Sequence, residues 1–357
     1  MRRFDLVLAS SVILLSLFGL LMIYDASSYV AFRDFHDKYH YIKDQAVWLG
    51  LGYTALIFFS LFDYKKLYYF SIPILIGAIV LLVAVFVPGL TVYALGARRW
   101  VNFGFFVLQP AEFVKLALAV YLSAWFSKKE QGRFLAFALL IGMVLGLVML
   151  QPDTGTASII MLEALVAYFL SGGSIMHFIL AFPVLAAAGL VLVKLEPYRA
   201  ARLATFLNPG GNLQSTSYHV RQILIALGSG GLTGLGIGNS LQKYAYLPEN
   251  TTDSIFAIIA EEFGFIGSVV LILLFAVVIW RGFLIAAGAR DTFGKLLAAT
   301  IASYLGAQIV INLSAMTALI PLTGIPLPFI SYGGSAFVVN MTAIGILLNI
   351  SRQRKVS

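Results

Sequence analysis

The polar stretch Tyr246-Leu-Pro-Glu-Asn-Thr-Thr-Asp253 carries two carboxylates, Glu249 and Asp253, and runs straight into an apolar segment that starts at Ile255. A carboxylate at the mouth of a membrane helix can meet both a lipid-anchored substrate and water, which makes Asp253 the candidate catalytic group. The same position suits a helix N-cap, where the helix dipole favours the ionised form. Partial burial and the nearby Glu249 push the other way, and the sequence leaves that balance open. Glu112 and Lys115 stand three residues apart in another apolar segment, so they share a helix face. Ionisable groups inside a membrane are costly and by default mark function. The pair reads either as a structural ion pair that neutralises itself or as the charged wall of a polar pocket opening outward. Asp153, in Gln151-Pro-Asp-Thr-Gly-Thr156, is at once a candidate N-cap and a candidate site residue. Arg98, Arg99, Arg202, Arg221 and Lys243 lie between apolar runs. Clustered arginines suit a diphosphate because the planar fork holds two oxygens at once. Anionic lipid headgroups attract the same residues.

The glycine run from Gly228 to Gly238 resembles a phosphate loop at first sight. Gly236-Ile-Gly238-Asn-Ser-Leu241 lacks the third glycine, has no strand before it and no Lys-Ser/Thr after it, so a flexible re-entrant or surface loop is expected instead. Glu163, Glu261 and Glu262 fall in spans. Glu261 and Glu262 are expected to line the bundle interior without a chemical role.

The elements that must hold these groups follow from composition. Of 357 residues, 60% are hydrophobic and 11% charged, against roughly 25% charged in a soluble domain. The expected fold class is all-α, a polytopic integral membrane protein of a single domain spanning 1–357. A net charge of +8 does not imply nucleic acid, because the basic residues lie in short clusters between apolar runs, as topology signals do. With no cysteine, disulfides and thiolate metal sites are excluded. The apolar run from Leu6 to Ile23 is too long for a signal-peptide core and reads as the first span. The expected spans are 5–26, 45–62, 67–88, 109–127, 133–150, 155–171, 174–193, 255–280, 296–319 and 333–350. An even count puts both termini on one side. Arg2, Arg3, Lys65, Lys66, Lys128, Lys129, Arg133, Arg281, Arg290, Lys295, Arg352, Arg354 and Lys355 gather there, which marks it as cytoplasmic. The long segment 194–254 between spans seven and eight then lies outside. Loops of that length are usually functional. Within it, Tyr218 to Leu227 is amphipathic and reads as an interfacial helix with Arg221 and Gln222 on its polar side.

Five motifs then stand in a recognisable order: Gly96-Ala-Arg-Arg-Trp100, Gln109-Pro-Ala-Glu112-Phe-Val-Lys115, Gln151-Pro-Asp153-Thr-Gly-Thr156, Leu247-Pro-Glu-Asn-Thr-Thr-Asp253, and Thr323-Gly-Ile-Pro-Leu-Pro-Phe-Ile-Ser-Tyr-Gly-Gly-Ser335. In these the chain resembles the SEDS family, the ten-span peptidoglycan glycosyltransferases of shape, elongation, division and sporulation. Gly238-Asn-Ser-Leu-Gln-Lys243 and Gly345-Ile-Leu-Leu-Asn-Ile-Ser-Arg352 look like the FtsW-like division branch rather than the RodA-like branch. One departure is Thr251, where the family often has histidine. The resemblance implies polymerisation of lipid II at the outer face of the bacterial cytoplasmic membrane, with inversion and loss of undecaprenyl diphosphate. Asp253 matches the family's essential aspartate, as general base or as metal-assisted activator of the attacking hydroxyl. Glu112, Lys115 and Asp153 match its other important charged residues. Arg98, Arg99, Arg202, Arg221, Gln222, Lys243 and Ser331 complete the candidate substrate-binding set. The family also implies a divalent cation, Mg or Mn, although no ligand set is legible from spacing. A class B penicillin-binding transpeptidase is the expected partner. A lipid II flippase would show a similar outward polar cavity, but it must also open inward, and polar residues near the inner span ends are sparse. A scaffold that only positions the transpeptidase would leave Glu112, Lys115 and Asp253 without a task.

Overall fold

A chain crossing hydrocarbon must satisfy its own backbone polar groups, and over about 20 apolar residues a helix does so. The computed structural model describes residues 4–94, 97–104, 106–128, 133–177, 179, 200, 202, 204–206 and 216–354. The helices in chain order are α1 (Leu6–Phe35), α2 (His40–Leu61), α3 (Lys65–Ala84), α4 (Pro110–Phe126), α5 (Phe134–Met149), α6 (Thr154–Leu170), α7 (Thr216–Ser229), α8 (Ile255–Ala287), α9 (Thr292–Met316) and α10 (Gly334–Arg352). All but α7 stand at expected spans. The span expected at 174–193 lies outside the described residues apart from 174–177 and 179, as do Gly96, most of 194–215, and the basic residues Arg2, Arg3, Lys129 and Lys355.

Among the described residues, six helices (α1, α2, α3, α8, α9 and α10) are long and apolar enough to cross a membrane, and α5 and α6 are shorter apolar helices. The chain is a multi-pass membrane protein. α9 and α10 form the centre, with 83% of the apolar window of each enclosed by the rest of the protein. α2 and α3 turn Leu51, Ile72, Ile76 and Val80 outward, as a surface solvated by hydrocarbon permits. α4 sits inside, packed against α3, α6 and α9, and this explains how a 17-residue helix can hold two charges.

The all-α, multi-pass class holds, and the structure refines it in three places. Between α3 and α4 the chain forms one small antiparallel sheet of β1 (Thr91–Ala94), β2 (Ala97–Asn102) and β3 (Val107–Leu108). α1 continues nine residues past its expected end, since Asp25 does not stop it but pairs with Lys243. The glycine run is a surface loop, as expected, but its backbone is engaged. α8 breaks at Gly264 (φ 66°), and the run supplies the missing backbone partners. Leu235 N–H donates to Glu261 O and Gly236 N–H to Glu262 O, both at 3.0 Å. Phe265 N–H donates to Gly231 O at 2.9 Å and Ile266 N–H to Leu232 O at 3.1 Å. A Cβ on Gly234 would lie 2.1 Å from Glu262 O, so only glycine allows this backbone-to-backbone wedge.

Candidate active site

The segment before α8 is held carbonyl by carbonyl. Tyr332 N–H donates to Thr251 O at 2.9 Å, Ser331 Oγ to Thr252 O at 2.5 Å, and Asn312 Nδ2 to Asp253 O at 2.8 Å. Ser331 Oγ also accepts from Leu327 N–H at 2.7 Å, and the second Asn312 N–H donates to Ile325 O at 2.7 Å. The α9–α10 connector therefore fixes the backbone that aims the Asp253 side chain. The N-cap of α8 is Ser254 and not Asp253 as expected. The Ser254 hydroxyl is engaged by His219 of α7, Nε2 to Oγ 2.8 Å. Burial and the charge of Arg202 push the His219 imidazole down to about 4, so it is neutral.

Asp253 is buried, with 7% of its surface exposed. Burial, and then the negative charge of Glu249, push its carboxyl up to about 7. Arg202 and the hydroxyl of Thr252 pull the other way and lose. The balance left open by the sequence thus falls on the side of a base poised near neutrality. The Thr252 hydroxyl stands 2.9 Å from Glu249 Oε2 and 3.3 Å from Asp253 Oδ1, so the two carboxylates face one small space. Arg202 borders the same space. Its Nη1 donates to Leu322 O at 2.7 Å, and a Cβ on Gly324 would lie 3.9 Å from both Arg202 Nη2 and Asp253 Oδ2. A small open cleft walled by Phe206, Val220, Ala315, Ile320 and Leu322 lies beside the guanidinium.

The Glu112–Lys115 pair is fully enclosed, with Nζ to Oε2 at 2.9 Å. It is more than a self-neutralising pair, because Lys115 Nζ also donates to Gln308 Oε1 at 2.8 Å, and Gln308 Nε2 donates to Pro326 O at 3.0 Å. Gln308 and Asn312 are one turn apart on α9. Through the adjacent carbonyls of Ile325 and Pro326 they tie Lys115 to Asp253. Sequence reading missed both amides and His219. Two amides four residues apart in an apolar span were the available signal.

Asp153 is the N-cap of α6, accepting from Thr156 N–H at 3.0 Å and Thr156 Oγ1 at 2.9 Å. Gln109 Nε2 also donates to it at 3.2 Å. Gly155 carries that corner against the connector, since a Cβ there would meet Thr323 O at 2.9 Å. Arg99, on β2, donates to Gln151 O at 3.3 Å and Pro152 O at 2.5 Å and so props the corner, whereas Arg98 is exposed. Lys243 is drawn elsewhere, into a buried cluster with Asp25 Oδ1 at 2.9 Å and Glu262 Oε1 at 3.2 Å. Burial works against its charge, but the two carboxylates outweigh burial and hold its pKa above the usual range. Arg221 is exposed on α7 and Gln222 half-buried, while Ile223 and Ala226 are buried on the other side of the helix. The structure thus gathers Asp253, Arg202, Ser331, Lys115, Glu112 and Asp153 around one connector. It leaves Arg98, Arg221 and Lys243 off it.

A bundle of membrane helices with a buried carboxylate pushed up to about 7, an arginine beside it and a small apolar-walled cleft at the same end defines a multi-pass membrane protein with a polar site at one end of its bundle. The chain belongs to the cell cycle protein family FTSW_RODA_SPOVE, whose family model matches residues 5–356. It is 39% identical to "Stage V sporulation protein E" of Bacillus subtilis, over 98% of this chain and 97% of that one. It is 37% identical to "Probable peptidoglycan glycosyltransferase FtsW" of Geobacter metallireducens, over 99% and 96%. Its fold is similar to a chain of a solved peptidoglycan synthase complex described as coordinating polymerization and crosslinking, with a TM-score of 0.81, 26% identity and 98% of each chain covered. The rod shape determining protein RodA of Thermus thermophilus gives 0.73 and 26%, over 99% and 98%.

Proposed function

We propose that the chain is a peptidoglycan glycosyltransferase that polymerises lipid II into glycan strands at the outer face of the bacterial cytoplasmic membrane. The observation that carries this reading is Asp253, buried, pushed up to about 7 and fixed to the connector that Gln308 ties to Lys115. In the reaction, a sugar hydroxyl of one lipid-linked chain attacks the anomeric carbon of another. Asp253 takes the hydroxyl proton as the new C–O bond forms. The bond to the diphosphate breaks on the opposite face, the configuration inverts, and Asp253 returns its proton to water. Arg202 supplies positive charge where the leaving diphosphate gains negative charge, and Lys115, enclosed with Glu112 and Gln308, braces the connector that carries Asp253. The cleft beside Arg202 offers apolar walls to the polyprenyl part. The face is assigned by charge: Lys65, Lys66, Arg281, Arg290 and Arg352 mark the end of the helices opposite to Asp253, in keeping with positive-inside.

A divalent cation, Mg or Mn, belongs to this reading. Among the described residues no cluster of three His, Cys, Asp or Glu side chains forms a cage. Asp253 and Glu249 face one space, and magnesium is commonly bound by one or two carboxylates together with substrate phosphates. These two would hold Mg or Mn, which when bound would neutralise diphosphate charge. A class B penicillin-binding transpeptidase is the proposed partner, on the strength of the similar synthase complex. The glycosyltransferase names of the relatives favour polymerisation over lipid II transport.

The test is a lipid II polymerisation assay with the purified chain, with and without transpeptidase and divalent cation. The Asp253→Asn protein should make no glycan strands while still binding its partner. Near-normal strands from that variant would overturn the reading.

A further inference from the structure

Beneath the Glu112–Lys115 pair the interior holds polar groups that the proposed reaction does not use. α4, α6 and α9 pack on one another there. Glu163, on α6, is completely enclosed, and among the described residues neither of its carboxylate oxygens has a hydrogen-bond partner. The hydroxyls of Tyr304 and Thr300 on α9, and of Ser123 on α4, are equally enclosed and equally without partners among those residues.

These groups belong together. The carboxylates of Glu163 and Glu112 both act on the Tyr304 hydroxyl, and the Tyr304 ring centroid lies 5.9 Å from the Lys115 ammonium. Thr300 is one turn from Tyr304 on the same face of α9. Among the described residues, Lys115 is the one charged side chain that acts on Glu163. Lys115 is already engaged at 2.9 Å by Glu112 and at 2.8 Å by Gln308. Two carboxylates therefore share one ammonium, with all three side chains enclosed by the protein. A buried charge must be compensated, or the group must give it up.

We infer that Glu163, with the hydroxyl of Tyr304, is a second site in the bundle that holds one exchangeable monovalent positive charge, a sodium or potassium ion or a proton. The donors are all oxygens, which suits a hard cation of low charge and suits a proton equally. The compensating charge makes the inner half of the Lys115 pocket neutral. Lys115 then keeps its bonds to Glu112 and Gln308 instead of being drawn inward. The site stands on this charge count and holds whether or not the chain polymerises lipid II.

The test uses the full chain in detergent, carrying Asp253→Asn so that this raised carboxyl does not titrate, and the Glu163→Gln comparison separates Glu163 from every other group. Melting temperature is measured in sodium, potassium and choline chloride at equal ionic strength, each from mildly acidic to mildly alkaline buffer. For a bound alkali ion the parent melts several degrees lower in choline than in sodium or potassium. For a proton it loses several degrees toward alkaline pH in every salt. In either case Glu163→Gln, which keeps shape and removes charge, abolishes the dependence, and Tyr304→Phe reduces it. A parent with neither dependence, or a Glu163→Gln protein that keeps the parent's response, overturns the inference.

Discussion

Asp253 shows why position along a chain does not fix the strength of a base. Its neighbours in sequence suggest a cap with a lowered pKa, yet the cap is Ser254, and burial with Glu249 brings Asp253 to about 7. A base must be ionised to work, so the polymerisation rate should climb as pH rises through about 7 and level off above it, as a rate–pH profile would show. Glu249→Gln removes one raising cause and should move that limb to lower pH, whereas an unmoved limb would assign it to another group. The stability effect has the opposite sense. The folded-state pKa lies above the unfolded value of 3.8, so ionising Asp253 above both values destabilises the fold. Asp253→Asn should therefore raise thermal stability at neutral to alkaline pH, by roughly 2–4 kcal/mol, while activity is lost. A variant that is inactive because it is less stable would point to a structural aspartate instead.

At the scale of elements, α9 and the connector after it do the positioning. Asn312→Leu removes two hydrogen bonds and leaves the carbonyls of Asp253 and Ile325 without that donor. The expected cost is about 2–4 kcal/mol, and kcat should fall more than partner binding, which a combined polymerisation and pull-down measurement separates. The α8 break depends on Gly264 and Gly234 in the same way. Gly264→Val places a β-branched residue at φ 66° with its Cβ 2.3 Å from Gly234 N. It should prevent the wedge from seating and lower the melting temperature far more than Gly77→Val, where a Cβ meets nothing within 4 Å. Equal losses from the two would mean that the wedge adds nothing.

Across the whole molecule, ionic pins fasten distant parts of the chain. Lys243 joins the C-terminal part of α1 to the α8 break, and Asp5 with Arg281 joins α1 to α8 again near the other end. Lys243→Met leaves Asp25 and Glu262 facing each other, at an expected cost of about 3–5 kcal/mol. Adding Glu262→Gln should recover part of the lost melting temperature, and no recovery would show that Lys243 acts by packing alone. What the sequence determined by itself was whatever the solvent dictates: nine described helices where apolar runs require them, an amphipathic α7, an Asp153 cap, and a carboxylate beside Ile255. Those properties depend on short stretches of chain, and hydrophobicity and cap chemistry are local. The tertiary structure alone decided that Gln308 and Asn312 bind Lys115 to Asp253, that Lys243 faces Asp25 and not the site, and that the glycines fill a broken helix. It also decided that Asp253 titrates near neutrality. Each of these depends on groups brought together from far along the chain, and burial and Coulomb forces act through that distance in space.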